Sequence, residues 1–187
     1  TQIYDKHHLV PFGEFVPLGE FAARFGIYGM APQHGAGFSA GPGARLMDLG
    51  PLGRALPLIC YEAVFAHDVN AAPERPDFII HATNDAWFGK YAGPQQHLAQ
   101  TRMRAIEQGL PVARAANTGI SAMIDPRGRI LQSLDLGEAG FIDARLPLPL
   151  APTLYSRTGD TPWVVLLAVL TGGMVLRRVV VRLKKTE

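Results

Sequence analysis

The spacing of apolar residues along this chain changes several times, and each change predicts an element. Leu18, Phe21, Ala22 and Phe25 recur at helical spacing and predict a short amphipathic helix near 19–25. Residues 45–49 and 55–60 read as two strands joined by the turn GPLGR, residues 50–54. YEAVFAHDVN then predicts a helix starting just after Cys60. DFIIHAT, residues 77–83, is a continuous apolar run of the kind that fills a buried strand. Gln95 to Gln108 predicts a helix closed by Gly109, with Pro111 beyond it. LPVARAA predicts a strand, and ISAMID and ILQSLD predict a hairpin turning at Pro126–Gly128. AGFIDARL, residues 139–146, predicts one more strand.

Between these runs lie breakers. Pro11, Gly13 and Pro17 end the short apolar edge at the start and predict an ordered loop. Residues 29–44 are rich in Gly and Pro and read as a loop; Gly35-Ala36-Gly37 has no strand before it or helix after it, so it is no dinucleotide fingerprint. NDAWFGKYAGP is another loop, and no internal repeat is visible. Many strands with two or three helices between them indicate a layered α/β fold.

The end of the chain is different in kind. Trp163 to Leu176 is 14 residues without a charge, short of the roughly 20 that span a bilayer. Arg177 and Arg178 have stems long enough to snorkel while Val179–Leu183 continues the helix, which gives 21 residues from Trp163 to Leu183. Trp163 would sit at one interface and Lys184 and Lys185 at the other, on the cytoplasmic side. The alternative is a buried terminal helix, which Arg-Arg-Val-Val-Val-Arg suits poorly.

Charge agrees with that division. The formal net charge is +2, but residues 177–187 hold five basic residues and one acidic; the rest has 13 basic against 15 acidic. The body therefore lacks the basic excess of a nucleic-acid binder. The lone cysteine excludes an intrachain disulfide. The first residues, TQIYDKHHLV, have neither an initiating methionine nor a signal-peptide pattern and read as the interior of a longer protein.

Cys60 is the first candidate for chemistry. It ends the apolar run LPLI and is followed by Tyr61 and Glu62. It is either a small buried hydrophobe or a nucleophile whose thiolate faces helix-end amides. Lys6 could hold a thiolate or an oxyanion, or be a solvated surface lysine. Glu14 follows Pro-Phe-Gly in a rigid loop, or is an exposed turn carboxylate; Glu62 also suits the first turn of a helix. His7 and His8 are adjacent, so on a strand they point in opposite directions, and no His/Cys/Asp set at ligand spacing completes a metal site. His81 and His97 read as single structural histidines. Arg102, Arg104 and Glu107 read as a helix face with local charge pairs.

Several stretches together carry a family likeness: YDKHHLVPFGEFVPL around Lys6, LICYE around Cys60, NDAWFG at 84–89, GPQQHL at 93–98 and RMRAIEQGLPVARAANTGISAMIDPRG at 102–128, ahead of the terminal apolar helix. In this order they resemble the C-terminal part of the apolipoprotein N-acyltransferases, bacterial inner-membrane enzymes of the nitrilase, or carbon–nitrogen hydrolase, superfamily. The resemblance implies a partial αββα sandwich without its N-terminal half, plus one transmembrane helix. It divides the chain into a catalytic part (1–150), a linker (151–162), a span (163–183) and a cytoplasmic tail (184–187), with the catalytic part periplasmic.

The resemblance also implies a Glu–Lys–Cys triad. Cys60 matches the nucleophile and Lys6 the lysine, and Glu14 is a third catalytic candidate; Tyr61 and Glu62 match residues that support the site. The family's general-base glutamate lies well upstream of the lysine, and only five residues precede Lys6. Alone, the chain is therefore expected to be inactive. The implied reaction moves an acyl chain from a phosphatidylethanolamine-like donor to Cys60 as a thioester. The chain then passes to the diacylglyceryl-cysteine amine of an apolipoprotein, with no cofactor, metal or nucleic acid. Phe12, Phe15, Leu18, Phe21 and Phe25 would line the lipid entry or belong to the core, and Trp87 or Phe88 would meet an acyl chain or fix a turn. The rival readings are a membrane-anchored amidase of the nitrilase type and a catalytically incomplete, non-catalytic tethered domain.

Overall fold

The structure is a computed structural model of the 187-residue chain. It describes residues 2–18, 21, 24–26 and 37–183. Residues 19, 20, 22 and 23 of the helix expected near 19–25 and residues 29–36 of the 29–44 loop lie outside the described residues, as do Lys184 and Lys185.

Six strands form one mixed sheet whose spatial order is the chain order. They are β1 (Met47–Asp48), β2 (Arg54–Ile59), β3 (Phe78–Thr83), β4 (Val112–Ala116), β5 (Ser121–Ile124) and β6 (Ile130–Leu134). β2, β3 and β4 run parallel, and the outer pairs are antiparallel. Two crossovers join the parallel strands. The first contains a 3-10 turn (Cys60–Val64) and helix α1 (Ala66–Asn70); the second contains a 3-10 turn (Asp85–Phe88) and helix α2 (Ala92–Gln108). Helices α3 (Leu154–Thr158) and α4 (Thr161–Leu183) follow the sheet.

Register explains the core. Leu56 pairs with Ile79, Ile79 with Val112, and Val112 with Ile124, so four apolar side chains form one row across the sheet. Leu98 and Ala105 of α2, with Leu110, complete this buried cluster. Two residues along, the same sheet face carries Leu58, His81, Arg114 and Ala122. That second row turns polar next to the ends of β2 and β3, where the candidate residues gather.

Several expectations are corrected. β1 keeps two residues of the expected five, since only Met47 and Asp48 pair with β2. The helix after Cys60 is broken at Phe65, whose backbone is extended (φ −100°, ψ 113°). α2 starts at Ala92 instead of Gln95, with Pro94 inside its first turn; a proline is tolerated there because first-turn amides have no helical acceptor. AGFIDARL forms no strand: Phe141 is 89% exposed and the segment has no ladder partner among the described residues. Its alternation suits a half-buried strand, but a strand also needs a neighbouring edge. α4 is continuous for 23 residues, a length of roughly 34 Å at 1.5 Å per residue. Its large apolar side chains, Trp163 to Leu176, are all exposed, so nothing among the described residues buries it.

Candidate active site

Cys60 occupies the first position beyond β2, with a left-handed backbone (φ 51°). A non-glycine residue there is strained, and such strain gathers where a side chain must be aimed. Phe12 (φ 60°) shares the feature. Both border an apolar cavity of about 230 Å³. Its wall also includes Glu14, Tyr61, Trp87, Phe88 and His97. Phe15 is half-buried and is not part of that wall. Phe21 and Phe25 are exposed and rest against each other, with ring centroids 5.1 Å apart.

Lys6 lies in a segment without helix or strand. Its ammonium donates to both oxygens of Glu14, at 2.7 and 2.6 Å. The lysine side chain is 10% exposed, so it is not the solvated lysine of the plain alternative. Glu14 also accepts from the amide of Val10 (2.8 Å), which fixes the tight loop Val10–Phe15. Glu14 lies on the cavity wall with Cys60 and is thus the link between the lysine and the thiol's surroundings.

Glu62 is fully buried. It accepts from the amides of Ile59 (2.7 Å) and His7 (2.7 Å), more distantly from His8 (3.3 Å), and from the Tyr4 hydroxyl (3.1 Å). Its carboxylate therefore joins the segment that carries Lys6 to the turn that carries Cys60. Burial, reinforced by the Glu62 charge, raises the Tyr4 phenol well above its ordinary value. His7 and His8 do not diverge. Nδ1 of His7 lies 2.8 Å from Glu62, and Nδ1 of His8 lies 2.8 Å from Asp68. Among the described residues the segment has no ladder partner, so strand alternation does not constrain it.

Behind Cys60 is a buried polar network that sequence reasoning missed. His81 and His97 each bring Nε2 to the Cys60 carbonyl oxygen, at 3.1 and 3.2 Å. Nδ1 of His81 faces an Arg114 guanidinium nitrogen at 2.8 Å. Arginine only donates, so the chemistry of the partners assigns His81 as the neutral tautomer with its proton on Nε2. Burial, and then repulsion from Arg114, lowers the His81 pKa well below its ordinary value, in agreement. Nδ1 of His97 faces Asp85 (2.8 Å), and Arg114 donates to the other Asp85 oxygen at 2.6 Å. Burial opposes the Asp85 charge, but the His97 hydrogen bond and Arg114 outweigh it and hold the carboxyl below its ordinary value. Gly119 is required nearby, since a Cβ there would meet Asp85 Oδ2 at 2.2 Å. The available signal was Arg114, a charge inside the predicted strand LPVARAA. A buried charge is kept only when paired.

The helix-face reading of Arg104 and Glu107 holds as an ion pair (2.9 Å), whereas Arg102 donates to the Gly128 carbonyl (2.7 Å). Burial raises the Glu107 pKa against the pull of Arg104.

Chemically, the site offers a thiol at the open end of parallel strands, where α/β folds place ligands. Beside it are a clamped lysine–carboxylate pair and an apolar cavity. Among curated relatives, the apolipoprotein N-acyltransferase of Bradyrhizobium diazoefficiens is 51% identical over 180 residues, 96% of this chain and 33% of its own length. That of Rhodopseudomonas palustris is 48% identical over 176 residues, 94% of this chain and 33% of its own. The chain thus spans about a third of these relatives. Among solved structures, a mutant amidase from Nesterenkonia sp. AN1 carrying acrylamide at its active-site cysteine aligns with TM-score 0.50 at 22% identity. The alignment covers 71% of this chain and 52% of the amidase, a likeness of fold. The family description that fits residues 1–153 is carbon-nitrogen hydrolase, and on that span the chain belongs to the carbon-nitrogen hydrolase family.

Proposed function

We propose that this chain is the nucleophile-bearing part of an apolipoprotein N-acyltransferase. The observation that carries the reading is Cys60, held in a strained turn at an apolar cavity whose wall includes Glu14, the partner of Lys6. The site chemistry is that of a thiol acyl carrier, and the cavity's lining suits an acyl chain better than a small polar amide.

In this mechanism Cys60 Sγ attacks the ester carbonyl carbon of a phospholipid. The S–C bond forms, the ester C–O bond breaks, and the departing lysophospholipid oxygen takes the thiol proton by way of a base. The resemblance implies that this base is a glutamate upstream of the segment seen here. Lys6 stabilises the oxyanion, and Glu14 holds Lys6 in place. The α-amine of an apolipoprotein then attacks the thioester. A C–N bond forms, the C–S bond breaks, and the amine proton returns to sulfur. Covalent catalysis lets two bulky lipids use one site in turn.

Residues 1–150 form the catalytic part, 151–162 the linker and 163–183 a transmembrane helix, with 184–187 cytoplasmic and the catalytic part periplasmic at the inner membrane. The exposed apolar surface of α4 supports this division, because it has no cover among the described residues.

Intact-protein mass spectrometry tests the reading. The chain and its full-length parent are each incubated in detergent with phosphatidylethanolamine, beside Cys60→Ala controls. The expected result is a hydroxylamine-labile, acyl-sized adduct on the parent that requires Cys60. An adduct on both would mean that the chain alone suffices. No adduct on either, with the lipid intact, would overturn the acyltransferase reading in favour of an amidase or a non-catalytic domain.

A further inference from the structure

His8, His67 and Asp68 bring one ligand atom each to within 4.8 Å of one another. His8 lies two residues from Lys6, and His67 and Asp68 belong to α1, just after the turn that carries Cys60. Nδ1 of His8 is 2.8 Å from one oxygen of Asp68, and Nε2 of His67 is 3.3 Å from the other. In a tetrahedral zinc site, ligand atoms at zinc's ordinary bond lengths lie roughly 3.3 Å apart. From separations of up to 4.8 Å, the widest-spaced donors would close by about 1.5 Å to reach that geometry.

The rings are also oriented. The His8 imidazole stacks face to face on Phe65 (centroids 3.8 Å apart, planes 5° apart), and His67 tilts against the same phenyl ring at 5.4 Å. One aromatic side chain thus sets both imidazoles. Asp68 is nearly buried, while His67 is 70% exposed, so the cluster has an inner carboxylate and a face open to solvent. Behind it, Nε2 of His7 lies 3.6 Å from Asp68 and Nδ1 lies 2.8 Å from Glu62. His7 thus lies beside the cluster's carboxylate without being one of the three ligands.

We propose that His8, His67 and Asp68 form a binding site for a divalent first-row transition metal such as zinc, with a fourth position left to water. Two imidazoles and a carboxylate suit zinc, copper and nickel and do not suit magnesium, which prefers an all-oxygen shell. A bound ion would cross-link the Lys6 segment to α1, across the junction that Glu62 spans on its buried side. The site does not depend on the acyltransferase reading.

Calorimetric titration of the full chain in detergent with zinc chloride tests the site, with magnesium chloride as control. The expected result is one saturable zinc site, no magnesium binding, and a melting temperature that rises with zinc and returns with chelator. His67→Ala and His8→Ala should each weaken zinc by more than about 10-fold, since losing a ligand costs more than losing an outer partner. Because His67 is exposed, His67→Ala should melt like the parent in metal-free buffer. Cobalt bound in place of zinc should give a visible absorption band that His67→Ala removes. Absence of saturable zinc binding to the unaltered chain, or equal affinity in both variants, would overturn the site.

Discussion

His81 and His97 aim Nε2 at one acceptor, the Cys60 carbonyl oxygen, from 3.1 and 3.2 Å. The left-handed turn at Cys60 is thus held from behind by two buried imidazoles. His97→Ala removes one of those bonds and the Asp85 partner. It should destabilise the fold by about 1–3 kcal/mol, the usual cost of stranding buried polar groups. A lower urea midpoint with unchanged slope would check this.

The His81 environment predicts a pH dependence. Its folded pKa lies well below 6.5. Between the two values the unfolded chain binds the proton and the folded chain does not, so stability falls as pH falls. The loss should begin near pH 6.5, the unfolded value, and continue until the folded pKa is reached. One such group gives a slope of at most about 1.4 kcal/mol per pH unit. His81→Asn should flatten the slope between pH 7 and 5 in urea melts. Asp85 acts lower: its folded pKa lies below 3.8, so its contribution is complete above that value and is lost as pH falls through the folded one.

Asp85 and Arg114 are both fully buried. Asp85→Asn strands a buried guanidinium and should cost about 3–5 kcal/mol. Replacing both, Asp85→Leu with Arg114→Met, should cost less than the sum of the single changes. A double-mutant cycle by chemical denaturation measures the difference.

Trp87 and Phe88 border the cavity beside Cys60. If the cavity takes an acyl chain, Trp87→Ser and Phe88→Ser in the full-length parent should slow acylation by long-chain phospholipid at least about tenfold, at roughly 1–3 kcal/mol of apolar contact each. Alkylation of Cys60 by iodoacetamide should hardly change. Equal loss of both reactivities would instead indicate a collapsed turn.

Helix α4 exposes Leu167 and Leu170 among its apolar residues. Leu170→Asp places a carboxylate near the middle of the proposed span, at a cost of about 2.5–3.5 kcal/mol for insertion. The altered chain should be extracted from membranes by alkaline carbonate, and the unaltered chain should remain.

Much of the sheet was legible because each strand pairs with its chain neighbour. β2, β3, β4 and the β5–β6 hairpin each carry their own pattern and stop signals, and α2 ends on Gly109 as its spacing predicts. AGFIDARL misled because alternation describes a strand's faces and says nothing of a partner for its edges. At the site, the apolar-to-polar switch at Cys60 was visible, as were Lys6 and Glu14. The contacts of Asp85, His97 and Arg114 were not, because they join residues 12 to 29 positions apart through the packing of α2 on the sheet. The convergence of His7 and His8 was hidden for a related reason: strand geometry does not govern an unpaired segment.

The left-handed backbone at Cys60 has an evolutionary consequence. Glycine would occupy that position at less conformational cost than any side chain. Selection on thermostability alone would therefore favour losing the thiol at this position. A Cys60→Gly change would relieve the left-handed strain and delete the thiol in one step, so conformational ease and chemical reactivity pull in opposite directions at this position.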